Sequence, residues 1–200
     1  MRTSVKWVTA ATGAIRRAVR NAVGLLAAGF ALASPLAGGA AAAPLSDPTE
    51  FEVKAAFVYN FAKFAAWPEG AFAGPRATLV LCRLGDVGFG SALSALEGKP
   101  VGERRLAVRD VMLREAGDCH LLVIGAPLES RLADVARIVK GRPILTIGDA
   151  EGFAAHGGAI GLTLDDGRVR FEVNPKALAG SGITLSSQLL RLARIVEDVP

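Results

Sequence analysis

Apolar residues recur at positions 51, 55, 58, 61, 62 and 65, the period of a helix that buries one stripe. The stretch 51–68 (FEVKAAFVYNFAKFAAWP) holds four of the nine phenylalanines and the only tyrosine. Phe57 and Phe64 widen the stripe, and Lys54, Asn60 and Lys63 interrupt it. Asp47 is the expected N-cap, with Pro48 at the first helical position and Glu50 closing a capping box. Trp67-Pro68 ends the helix near Ala66.

Beyond a loop at 69–76, the pattern changes to short apolar runs. Residues 77–84 (ATLVLCRL), 104–111 (RRLAVRDV), 119–125 (CHLLVIG) and 143–148 (PILTIG) read as four strands. Helical patterns at 90–96 and 130–140 separate them, and 151–156 suits one helical turn. Residues 158–164 and 168–173 read as a β-hairpin joined by Asp165-Asp166-Gly167. A last helix is expected over 188–196. Its Leu189, Leu190, Leu192, Ile195 and Val196 face inward, and Gln188, Arg191 and Arg194 face outward. Apolar strands alternating with helices predict an α/β fold: one domain, a mainly parallel sheet flanked by helices, and a C-terminal β-hairpin.

Charge changes the picture at the N-terminus. Residues 1–43 carry Arg2, Lys6, Arg16, Arg17 and Arg20 and no acid. An apolar run at 23–33 and an alanine-rich tract at 39–43 follow. This is the layout of a secretory signal peptide, with the domain at 44–200. An uncleaved anchor is the alternative, though the run is short and glycine-rich for a span of roughly 20 residues. Without the leader's five bases, 18 Lys and Arg face 19 Asp and Glu, a net charge of −1. The basic excess of the whole chain therefore belongs to the leader, which argues against nucleic acid as a partner.

Candidate chemistry is sparse. Gly85, Gly88 and Gly90 follow a strand, but their spacing is G-x-x-G-x-G rather than that of a dinucleotide site, and no acid closes the next strand. His120 and His156 lack chelating partners at helical spacing. Cys119 and His120 point to opposite faces of a strand and do not easily share a metal. Asp165-Asp166 is a turn signal before it is a catalytic pair. The pattern calls for no cofactor, no metal and no catalytic residues. On 168–173, alternation places Val169, Phe171 and Val173 inward, and Arg168, Arg170 and Glu172 outward. Cys82 and Cys119 form a disulfide or stay as two buried thiols.

Six blocks now stand in order: KAAFVYNFAKFAAWP, LVLCRLG, CHLLVIG, ILTIGDAEGF with GGAIGL, RVRFEVNPKAL, and SSQLLRLARIV. Behind a signal peptide, this series resembles the YfiR-like family of periplasmic proteins, from about Val53 to Val196. The resemblance implies a non-enzymatic periplasmic regulator. It would bind and repress an inner-membrane diguanylate cyclase of the YfiN type, lowering cyclic-di-GMP signalling with effects on biofilm. It further implies a homodimer and an outer-membrane lipoprotein of the YfiB type that sequesters the repressor.

By position the resemblance also implies a Cys82–Cys119 disulfide. Strand geometry objects, since Cys82 lies late on its strand and Cys119 opens the other. In plain parallel register they would stand at opposite ends, beyond the roughly 7 Å that a bridge allows. A second family pair near 146–158 is absent here. Tyr59, Asn60, Lys63 and Trp67 lie off the buried stripe and are the expected partner contacts, with Arg170 and Glu172. The competing reading is a periplasmic small-molecule sensor, with its site at the strand ends near 85–90 and 125–128.

Overall fold

The computed structural model describes residues 47–125 and 131–197. The expected leader and positions 126–128 of the strand-end mouth lie outside them. Helix α1 (Glu50–Phe64) leads into the short strand β1 (Ala65–Ala66). Then come β2 (Leu79–Leu84), α2 (Gly90–Ser94), β3 (Pro100–Val101) and β4 (Arg104–Val111). A 3-10 turn, Leu113–Asp118, precedes β5 (Leu121–Ile124), α3 (Leu132–Val139) and β6 (Leu145–Gly148). The hairpin is β7 (Ile160–Asp165) and β8 (Arg168–Val173). The chain closes with β9 (Thr184–Leu185), α4 (Ser187–Leu190) and β10 (Arg194–Ile195).

Eight strands form one sheet in the order β10-β8-β7-β6-β5-β2-β4-β3, and β1 pairs with β9 in a small second sheet. From β4 to β7 the neighbours run parallel; β7 and β8 are antiparallel, as are β3 and β4. The expected α/β architecture is therefore present. The hairpin turns on Asp166 and Gly167, both at positive φ (47° and 71°), which an aspartate-glycine pair supplies at low cost.

The sheet is covered on both faces. Phe61, Val58 and Leu93 from α1 and α2 pack on Leu81, Leu121, Leu145, Ile160 and Phe171. Ala116 and Val135, from the 3-10 turn and α3, pack on the other face with Cys82, Leu122 and Ile124. Phe153 completes that side. Its ring fills the space where a side chain would stand at Gly148 or Gly158, only 2.4 and 2.0 Å from their ideal Cβ positions.

Four expectations need correction. The capping box of α1 is Thr49 with Glu52, two residues later than expected, because Thr49 and Glu52 bond each other's main-chain N–H groups. Phe51, expected in the stripe, is 49% exposed, while Lys54 is buried. Lys54 is held by Glu50 at 2.7 Å and Asp149 at 2.9 Å, and its ammonium lies 5.7 Å from the centroid of the Phe89 ring. The last helix stops at Leu190 instead of running to 196, and residues 194–195 pair with β8 instead. Glu172, expected outward, is buried beside Gly161, because the Arg194 side chain of β10 pairs with it and Ala154 packs close to Gly161.

Candidate interaction surfaces

A disulfide joins Cys82 to Cys119, with Cα atoms 5.9 Å apart. The register around it is the plain one, Cys82 opposite Leu122. The geometric objection falls because Cys119 is not on a strand. It ends the 3-10 turn, and β5 begins only at Leu121. The chain leaves the strand line there and brings the sulfur over Cys82, where both residues are buried.

The residues expected to meet a partner fall into two groups at opposite edges of the sheet. Tyr59, half-buried, donates its hydroxyl to the Pro100 carbonyl at 2.6 Å, on the β3 edge. Lys63 and Lys99 flank its ring at 5.5 and 5.6 Å, and Asn60 and Lys63 are exposed. Beside them an open cleft of about 610 Å³ runs between α1 and α2, lined by Phe51, Ala56, Tyr59, Ala92, Ala95 and Lys99 among others. Trp67 is half-buried, and its indole N–H donates to the Pro143 carbonyl at 3.0 Å, so part of its role is to hold the fold.

The other edge carries Arg170 and Glu172. Arg170 is exposed on β8, opposite Thr163. Glu172 offers no free carboxylate, because it pairs with Arg194 of β10. Leu190, Leu192 and Ile195, expected to lie inward on a helix, are exposed instead, and Leu192 stands beside this pair. Leu192 is 73% exposed, Ile195 51% and Leu190 36%, and Leu164 of the hairpin is 56% exposed. Leu164, Arg170, Leu192 and Arg194 line one open cleft of about 430 Å³. Leucine and isoleucine gain about 1.5–3 kcal/mol each when fully buried, so this exposed set is an unused binding resource. In sequence, R-L-A-R-I-V alternates over a few residues as well as it spirals.

The strand-end mouth that a small ligand would use is narrow where the structure describes it: a cleft of about 240 Å³ stands beside Gly85, lined by Leu84, Val111, Met112 and Val135 among others. A side chain at Gly125 would stand 2.1 Å from the Asp86 carbonyl oxygen, so the loops after β5 and β2 touch directly. Arg83 closes the rim, bonded to both Asp110 carboxylate oxygens and to Gly90 O and Ser94 Oγ. His120 donates and accepts main-chain hydrogen bonds, and His156 bonds Gly152 O. Among the described residues no three His, Cys, Asp or Glu side chains converge as a metal site requires. No helix among them is long and apolar enough to cross a membrane.

The fold and these surfaces define a doubly covered α/β domain, stapled by one buried disulfide, that presents open clefts at both sheet edges. The chain belongs to the YfiR/HmsC-like family, whose model matches residues 51–194, more than half of the sequence. At family level this makes it a periplasmic regulatory protein.

Proposed function

We propose that this protein represses an inner-membrane diguanylate cyclase of the YfiN type by binding its periplasmic region, without catalysis of its own. One observation carries the choice of surface: Leu164, Leu192 and Ile195, three of the six large exposed apolar side chains among the described residues, lie on β7, on β10 or on the turn that leads into β10. Arg170 and Arg194 edge this cleft and supply orientation, while burial of the leucines supplies affinity. Glu172 acts behind the surface by fixing Arg194. An outer-membrane lipoprotein of the YfiB type competes for the repressor. Tyr59, Asn60 and Lys63, on the far edge, make the contacts of a homodimer. Trp67 borders them.

Deletion of the gene tests the reading. Cyclic-di-GMP should rise only in cells that carry the partner cyclase. Unchanged levels in both backgrounds would overturn it.

A further inference from the structure

His120 stands at the first step of the β2–β5 pairing, where its main-chain N–H donates to the Val80 carbonyl at 2.9 Å. The β2–β5 ladder starts at Leu81 and Leu121, which leaves the Val80 N–H one step outside it. The His120 ring takes that N–H at Nδ1, at 3.1 Å. Its Nε2 lies 3.1 Å from the Ala71 carbonyl. An acceptor at Nδ1 fixes the tautomer: the ring is neutral, with its proton on Nε2, and that proton is donated to Ala71. The ring also stacks on Phe72, with centroids 4.5 Å apart and planes at 10°. Arg104 lies 3.5 Å from the centroid of the same Phe72 ring and donates to Gly74 and Ala77 carbonyls.

These contacts fasten the 68–76 loop to the sheet. The loop forms one wall of an open cleft of about 640 Å³ whose other wall includes Val101, Glu103 and Arg104. Trp67 and Lys63 also line it.

We propose that His120 is an acid-operated latch on this loop. A second proton has one place to go, Nδ1, and an imidazolium there cannot accept the Val80 N–H. Two donors would then face each other in a half-buried site. The charged groups directed at the ring are Arg104 and Arg109, both from β4, and both repel an imidazolium. No carboxylate among the described residues pairs with it. Relief comes by swinging the ring away, which gives up the Ala71 bond and the Phe72 stack together. Acid therefore frees the loop and reshapes the cleft at Trp67. Burial, with the two arginines, holds the His120 pKa below its ordinary value, so the latch stays closed at neutral pH.

Amide exchange of the full chain, followed by NMR at pH 7.5 and 4.5 and corrected for intrinsic rates, reads the latch. Protection of the Val80 amide, and of the Ala71 amide that bonds the Pro68 carbonyl within the loop, should fall at least tenfold in acid. In His120→Gln, which cannot titrate, it should be the same at both pH values. Unchanged protection in the wild type, or an equal acid loss in the variant, would overturn the proposal. Should the variant not fold, the wild-type ring decides alone. Protonation of Nδ1 that leaves the Val80 amide undisturbed would equally overturn it.

Discussion

Glu172 and Arg194 form an ion pair across the last two strands of the sheet, in which the Glu172 side chain is 4% exposed and the Arg194 side chain 75%. The pair holds a two-residue edge strand that has one further main-chain bond at its end, Val196 N–H to Val173 O. Arg194→Ala should cost about 2–3 kcal/mol, because it strands a buried carboxylate without its cation. Urea unfolding at pH 7 measures this. Adding Glu172→Gln to the variant should recover part of the loss, since the neutral side chain no longer needs a counter-charge.

The disulfide closes a sequence separation of 37 residues. The chain-entropy model gives it a stabilisation of about 3–4 kcal/mol. Cys82→Ser with Cys119→Ser should lower stability by that order, measured by chemical unfolding. Thiol counting on the denatured, unreduced wild type should find none free.

Phe153 occupies the positions that side chains at Gly148 and Gly158 would need. Gly148→Ala and Gly158→Ala should each destabilise by about 1–3 kcal/mol through overpacking. Phe153→Leu, destabilising by itself, should make the Gly148→Ala step less costly. A double-mutant cycle of unfolding free energies tests that coupling.

His120 gives the stability a pH dependence of known sign. Its folded-state pKa is lowered, mainly by burial, from an unfolded value near 6.5. Between those two values the unfolded chain binds more protons than the folded one. The full contribution is present above about pH 6.5 and is lost as the pH falls toward the folded value. Unfolding free energy should therefore decline through this window in the wild type, and decline less in His120→Gln.

Much of the fold is legible in the sequence because apolar runs and turn residues act locally. LVLCRL, LLVI and LTIG are buried runs bounded by glycine or by polar residues, and Asp166-Gly167 makes the turn its composition requires. What is not legible depends on distant partners. The Q-L-L-R-L-A-R-I-V segment satisfies a helix as well as a strand, and only the open edge of β8 decides for Arg194 and Ile195. Lys54 reads as a surface residue until Asp149, 95 positions away, arrives beside it. The same limit applied to the interaction surface. Leu192 and Ile195 have the composition of core residues, and their exposure follows from where the helix ends.

Repression through the β7–β10 end of the sheet is tested most directly with Leu192→Asp. Leu192 is exposed, so the variant should fold with wild-type stability. In cells that carry the partner cyclase and lack the native gene, cyclic-di-GMP is measured with the wild type or the variant supplied at equal levels. The wild type should lower it, and the variant should leave it close to that of the deletion strain. Full repression by a correctly folded Leu192→Asp protein would contradict the assignment of this surface.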